Sequence, residues 1–149
     1  MRRTVVVAGA LLLGAGAVMA QQNVAVEQQN LMRSMGRSVY VTMLKTIKGE
    51  TPYDQTALDA ALAQLEPAVG KIATTFAINP KEDVVNASFG SSQKVWQDKA
   101  GFDAKIPPVA KAVADLKGTI KDPASLKVAF DTLNTKCNDC HETYRVKLK

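Results

Sequence analysis

The chain has 149 residues, a length that favours one domain, and 46% of them are hydrophobic. Lysine and arginine outnumber aspartate and glutamate by 19 to 14, which gives a formal net charge of +5. The lysines are scattered along the chain and only 5% of the residues are aromatic, so we expect no nucleic-acid partner.

Residues 1–20 have the pattern of a secretory signal peptide. Two arginines precede an apolar run over residues 5–18, and Ala20 then precedes a polar segment. The alternative is a membrane anchor, but the apolar run is shorter than the roughly 20 residues that a spanning helix needs. We therefore expect cleavage after Ala20, a mature domain of residues 21–149, and no membrane span after cleavage.

Two amphipathic helices are predicted in the first half of the mature chain. Residues 22–48 carry apolar side chains at helical spacing, and a following glycine is typical of a helix end. The second helix is predicted to start with Thr51 as its cap, Pro52 in its first turn and Asp54 as the acid of a capping box.

The apolar face of the second helix continues to Phe76, and Pro67 within it predicts a kink. Residues 77–91 have no helical period and contain Asn, Pro, Gly and Ser, so they are predicted to form a long loop. The apolar positions of this helix are Leu58, Leu62, Leu65, Val69, Ile72 and Phe76.

The third predicted helix has an apolar face that runs from Val95 to Ile120 and contains two adjacent prolines. Pro107 and Pro108 lack backbone donors and crowd the preceding turn. The segment is therefore either two helices or one bent helix, and we expect one bent helix.

The fourth predicted helix starts with Asp122 as its cap and Pro123 in its first turn. Its apolar face consists of Leu126, Phe130, Leu133, Cys137, Cys140 and Tyr144. Because the cysteines continue this face, any group bonded to them is expected to lie against the interior. Four amphipathic helices with short links predict an all-α, antiparallel four-helix bundle, and no strand pattern is visible.

The sequence Cys137-Asn-Asp-Cys140-His141 has the pattern of a haem-attachment site. Residues i and i+3 lie on the same face of a helix, so two thiols can bond one edge of a porphyrin while the histidine reaches its iron. A zinc site would need a fourth ligand, and a disulfide oxidoreductase would show strands around the motif. A structural disulfide is the plainest alternative, but it leaves His141 unexplained.

Residues 137–145, which read Cys-Asn-Asp-Cys-His-Glu-Thr-Tyr-Arg, resemble the C-terminal motif of the cytochrome c' family, the class II c-type cytochromes. The stretch Lys94-Val95-Trp96, followed by Phe102, resembles the pattern of that family's third helix. The resemblance covers the whole mature chain.

This resemblance implies a left-handed antiparallel bundle with one haem c per chain, attached covalently through Cys137 and Cys140, and with His141 as the proximal iron ligand. Residues 29–37 resemble the low-spin branch of the family, in which a methionine of the first helix is the second iron ligand. Met32 stands in that position, which implies an electron carrier. The other branch leaves the position open, and its five-coordinate iron binds NO or CO.

Without the resemblance, the second iron ligand stays open. Met35 and Met43 each lie within roughly 60° of Met32 on the predicted first helix, at about 100° per residue, so any of the three could face a haem. All three could also be core residues, because methionine fills irregular gaps well. A histidine and a thioether on the iron leave one-electron transfer as the remaining chemistry. A haem-free bundle with one disulfide is the alternative from another class.

Three aromatic residues, Trp96, Phe102 and Tyr144, are further candidates for the haem pocket, although aromatic side chains often only fill the core. Each is predicted on the apolar face of the third or fourth helix or beside it.

Three arginines, Arg33, Arg37 and Arg145, are candidates for contacts with haem propionates, with solvated side chains as the alternative. No carboxylate pair or Ser/His/Asp arrangement converges in the sequence, so we expect no enzyme. The expected partners are periplasmic redox proteins, and the protein is expected to be a monomer or a homodimer.

Overall fold

The computed structural model describes the backbone of residues 12–80 and 82–148, and the side chains of these residues from Asn23 onwards. Four helical segments pack into an antiparallel bundle, which confirms the predicted fold. The first contains α1 (Leu12–Gly36), a π-helical stretch (Arg37–Met43) and α2 (Leu44–Ile47); the second contains α3 (Gln55–Gly70) and α4 (Ile72–Thr75). The third contains α5 (Lys94–Gln97), α6 (Lys99–Ala104) and α7 (Ile106–Leu116), and the fourth is α8 (Pro123–Tyr144).

The N-terminal part of the predicted signal peptide, residues 1–11, lies outside the described residues. Residues 12–20 form the first turns of α1. Within the described part of the chain, no helix is long and apolar enough to cross a membrane.

Aspartates cap the helices at the start of the second and fourth segments of the bundle. The side chain of Asp54 accepts a hydrogen bond from the backbone N–H of Ala57, so α3 starts at Gln55 and the predicted cap at Thr51 is wrong. Aspartate is among the preferred N-cap residues because its carboxylate satisfies a free backbone donor. The predicted start of α8 is confirmed, because Asp122 caps it and exchanges side-chain and backbone hydrogen bonds with Ser125.

The third helical segment is divided, and the expectation of one bent helix is wrong. Helix α6 ends at Ala104, Lys105 stands alone, and α7 starts at Ile106 with both prolines in its first turn. Pro107 and Pro108 have no N–H to donate to the turn before them, whereas a missing donor is tolerated in a first turn. The break places Lys105 between two helices, where it lines the cavity described below.

Two short strands also depart from the sequence prediction, which contained none. Strand β1 (Phe89–Ser91) pairs antiparallel with β2 (Arg145–Lys147), in the register Phe89↔Lys147 and Ser91↔Arg145. Strands of three residues are too short to show an alternating pattern in the sequence. The pairing ties the predicted loop over residues 77–91 to the chain just after α8.

The core of the bundle follows the predicted apolar faces. All six predicted positions of the second helix are buried, and helix α3 continues through Pro67, with an interruption only at Lys71. The largest side chains that are almost fully buried are Met43, Leu58, Leu62, Ile120, Leu126 and Leu133.

Candidate haem site

A cavity of 480 Å³ lies between α1 and α8, and it receives all three residues of the predicted attachment motif. Cys137, Cys140 and His141 line it from α8, while Met32 and Met35 line it from α1. Its volume falls within the roughly 300–1,000 Å³ that is usual for pockets that hold small ligands and cofactors. Most of the residues between Asp83 and Ser91 line it as well.

Both cysteines of the motif are free thiols, and both are partly buried. Burial raises the pKa of Cys137, and burial raises the pKa of Cys140 to about 11 against the opposing effect of the nearby Lys105 ammonium. The thiols are therefore protonated at neutral pH. Because the thiolate is the species that exchanges disulfides, this environment does not favour a redox dithiol or a labile disulfide.

The imidazole of His141 lacks a partner for a buried atom. Its Nδ1 is buried and has no hydrogen-bond partner among the described residues. Burial, and secondly the Arg145 cation, lower the pKa of His141 to about 4, so the ring is neutral at pH 7. A neutral imidazole is a metal ligand, and an unpaired buried nitrogen costs about 1–3 kcal/mol when nothing else is bound. This histidine fits a site completed by a cofactor.

The structure reduces the three candidate methionines to two. Met43 is fully buried in the core and does not line the cavity. Met35 lines the cavity but belongs to the buried core, with 8% of its surface exposed, whereas Met32 is partly buried and packs against that core from outside. Gly36, one turn after Met32, also lines the cavity, and a side chain added there would have no neighbour within 4 Å.

Three aromatic rings form one wall of the cavity: Phe76, Phe102 and Tyr144. The ring centroids of Phe102 lie 5.6 Å from Phe76 and 5.2 Å from Tyr144, the latter pair edge to face. Trp96, the third predicted aromatic, does not line the cavity. Its Nε1 donates a hydrogen bond to the backbone carbonyl of Phe76 at 3.0 Å, so Trp96 is bonded to the backbone of a residue that lines the cavity.

Three cationic side chains line the cavity: Arg33, Lys105 and Arg145. The guanidinium of Arg145 lies over the Phe89 ring, 4.5 Å from its centroid. The Lys105 ammonium donates to both carboxylate oxygens of Asp139, at 2.9 Å each. Arg37, the other predicted arginine, is exposed on the π-helical stretch and does not line the cavity.

Comparison with known proteins identifies the family to which a chain with this site belongs. A family model described as Cytochrome C' matches residues 23–145. The chain belongs to the cytochrome c' family. It is 63% identical to cytochrome c-555 of Bradyrhizobium diazoefficiens over 149 residues, with full coverage of both chains. It is also 43% identical to cytochrome c-556 of Rhodopseudomonas palustris over 148 residues, which is 99% of each chain.

A solved structure agrees with this assignment. The NMR-validated structure of oxidised cytochrome c556 from R. palustris superposes with a TM-score of 0.72 at 36% identity, covering 86% of this chain and 99% of that one. Membership of the cytochrome c' family confirms the resemblance seen in the sequence and implies one covalently attached haem c. The two cysteines of the attachment motif stand at the cavity as that cofactor requires.

Two residues that sequence reasoning missed hold Tyr144 of this cytochrome in place. The Tyr144 hydroxyl donates to Asp98 Oδ2 at 2.9 Å, and the same carboxylate caps α6 by accepting from the backbone N–H of Gly101. The sequence signal was an aspartate three residues before a glycine. The signal is hidden because the apolar face from Val95 to Ile120 predicts a helix that continues through Asp98.

We predict that Gly101→Ala destabilises the protein by about 1–3 kcal/mol. The added Cβ would overlap Asp98 Oδ2 and would lie 2.6 Å from the Tyr144 hydroxyl, so the bond between them would break. Urea unfolding of the haem-containing protein measures the effect. Gly70→Ala is the matched control, because a Cβ there meets nothing within 4 Å; in a helix it should stabilise by about 0.5–1 kcal/mol. Equal effects of the two substitutions would contradict the prediction.

Proposed function

We propose that this chain is a periplasmic carrier of single electrons, with one low-spin haem c whose iron has His141 and Met32 as axial ligands. One observation carries the proposal: a single cavity receives the attachment motif with its histidine from α8 and a methionine from α1. The similarity to proteins named cytochrome c-555 and c-556 supports the electron-carrier branch of the family.

The chain's own residues prepare the site for electron transfer. The bound haem supplies the chemistry, a one-electron change between ferric and ferrous iron. Cys137 and Cys140 hold it covalently, and burial keeps His141 neutral and able to ligate. A thioether from Met32, together with His141, would leave no position on the iron for substrates or gases unless the sulfur were displaced, and it would raise the reduction potential relative to two imidazoles.

Met32 is proposed as the ligand over Met35 because of where each side chain lies. Met35 is part of the buried core, so turning it towards an iron would open a void among close-packed neighbours. Met32 lies outside the fully buried core, at the cavity wall, and moving its sulfur removes little packing. The open space beside Gly36, one turn further, leaves room for a flat ring next to this helix.

Optical spectroscopy and voltammetry of the protein, made in a host with haem-attachment machinery, test the function. We expect sharp ferrous bands, a weak far-red ferric band from an iron–thioether bond, a reversible one-electron wave and slow binding of carbon monoxide. Broad high-spin bands with rapid carbon monoxide binding would instead support the second candidate. That candidate is a five-coordinate cytochrome that binds NO or CO at an open position.

Location and partners follow from the proposed role. Residues 1–20 would direct export and would be removed, so N-terminal sequencing of the periplasmic protein should start at Gln21. The partners would be periplasmic redox proteins, and the chain would catalyse no reaction of its own. Light scattering of the exported protein distinguishes the monomer from the homodimer.

We predict that Lys105 and Asp139 shift the reduction potential in opposite directions. Lys105 lines the cavity and pairs with Asp139, and both side chains are partly exposed, at 33% and 55%. Lys105→Gln removes a cation that favours the less positive ferrous state, and Asp139→Asn removes an anion that opposes it. Each change should be about 20–40 mV, equivalent to about 0.5–1 kcal/mol for a one-electron couple.

Voltammetry of the two single variants and the double variant checks this prediction. Lys105→Gln should lower the potential, Asp139→Asn should raise it, and the double variant should return close to the wild type. Shifts of the same sign in both single variants would indicate that breaking the ion pair distorts the site, and would contradict a purely electrostatic effect.

A further inference from the structure

A buried glutamine on α1 is hydrogen-bonded to two segments that are distant from it in the chain. Gln28 is only 3% exposed and lines the cavity. Its Nε2 donates to the backbone carbonyl of Thr75 at 3.2 Å and to that of Ile78 at 2.9 Å. Its Oε1 accepts from the Ser91 hydroxyl at 3.4 Å. The side chain therefore connects α1 with the end of α4 and with β1.

These contacts use the full donor capacity of the glutamine amide. An amide NH2 has two protons, and it donates to two backbone carbonyls, one at the last residue of α4 and one three residues beyond it. The partners lie 47 and 50 residues along the chain, so the contacts fix one helix relative to another rather than shaping a local turn. Gln28 has no free donor to offer a ligand in the cavity.

The position of Gln28 relates it to the proposed iron ligand. Met32 follows it by four residues, so the two side chains stand one turn apart on the same face of α1, and both line the cavity. Because one turn of a helix moves as a unit, a shift of α1 along or around its axis at Gln28 would move Met32 by about the same amount. The hydrogen bonds of Gln28 to the carbonyls of Thr75 and Ile78 are directional contacts between α1 and the end of the second helical segment, one turn before Met32.

We propose that Gln28 is a positioning residue that holds α1 in the register at which the sulfur of Met32 reaches the iron. This inference rests on the proposed function, because it assumes that Met32 is the second axial ligand. Loss of the two carbonyl contacts would let α1 move and would increase the fraction of time during which the sulfur is displaced. An external ligand would then bind faster, although Gln28 itself touches neither the iron nor that ligand.

Carbon monoxide binding to the ferrous holoprotein measures this fraction in four single variants and one double variant. Gln28→Leu removes both donors while filling much of the space, and Gln28→Glu keeps the shape but retains at most one donor, the O–H of a protonated carboxyl. Asp54→Ala is the matched control for lost stability, because it removes the cap of α3, away from the cavity. Met32→Ala sets the rate for an iron without its sulfur.

The expected result is a rate constant about three- to tenfold above wild type in both Gln28 variants, the scale of one or two lost neutral hydrogen bonds. Asp54→Ala should stay near the wild-type rate despite a lower free energy of unfolding. The double variant Gln28→Leu/Met32→Ala should bind at the rate of Met32→Ala alone, because the glutamine acts only through the methionine.

Each contrary outcome has a separate meaning. A wild-type rate in the Gln28 variants, with a fast rate in Met32→Ala, overturns the role of Gln28 and leaves the ligand assignment standing. A double variant faster than Met32→Ala shows that Gln28 acts by general packing, which also overturns the inference. A wild-type rate in Met32→Ala overturns the ligand assignment and this inference together.

Discussion

Replacing Cys137 and Cys140 together by serine is expected to yield a chain that carries no covalent haem and has little folded structure. The two thiols are the attachment points proposed for the cofactor, and they line a cavity that the polypeptide leaves unfilled. Serine has nearly the same shape, so the substitution itself does little harm to α8. The loss should come from the missing cofactor.

The size of the cavity explains why this loss is severe. The cavity is partly open to solvent, so the cost of a sealed void, about 24 cal/mol per Å³ or about 12 kcal/mol for 480 Å³, is an upper bound for it. A domain of this size is stable by only about 5–15 kcal/mol in total. Half of that bound would already remove much of the stability, so the haem is expected to be part of the core and not an addition to a finished bundle.

Mass spectrometry and circular dichroism of the exported protein check this prediction. The wild type should show the polypeptide plus one haem and cooperative unfolding, whereas the double variant should show the bare polypeptide mass and a weak helical signal. Each single variant, Cys137→Ser or Cys140→Ser, keeps one attachment point and serves as the control. A double variant with wild-type helicity and unfolding would contradict the view that the cofactor completes the core.

The parts of this structure that were predictable are governed by local spacing. The face that contains Leu58, Leu62 and Leu65 is buried as its period requires, because an amphipathic helix has one way to hide its apolar side. The attachment motif was equally clear, since the only histidine of the chain directly follows its second cysteine. The cavity brings these motif residues together with Met32.

The predictions that were wrong concern features that depend on contacts between distant segments of the chain, or on a choice between two nearby residues with the same chemistry. Asp54 and Thr51 both have the chemistry of a cap, and spacing alone does not decide between them. The pairing of Ser91 with Arg145 joins strands 54 residues apart and leaves no periodic trace. Two of the three partners of Gln28 are backbone carbonyls, which have no sequence signature at all.

Met32→Ala is expected to convert a low-spin protein into one that binds carbon monoxide rapidly. Without the thioether of Met32, the methionine that still lines the cavity among the described residues is Met35, which is held in the buried core. If the sulfur occupies that position about 99% of the time in the wild type, its removal should accelerate ligand binding about a hundredfold. The optical spectrum should lose its sharp low-spin bands, and the stability should fall little, because Met32 lies outside the buried core.

Met35→Ala is the matched control, because the same change is made three residues away at the same cavity. Met35 is buried in the core, so its truncation should reduce the free energy of unfolding by about 2–5 kcal/mol. Its low-spin spectrum and slow carbon monoxide binding should persist. The two variants are thus expected to separate ligation from packing: one changes the spectrum at little cost in stability, and the other does the reverse. If Met35→Ala loses the low-spin spectrum and Met32→Ala keeps it, Met35 is the ligand. If both variants keep a low-spin spectrum, neither methionine is the required ligand.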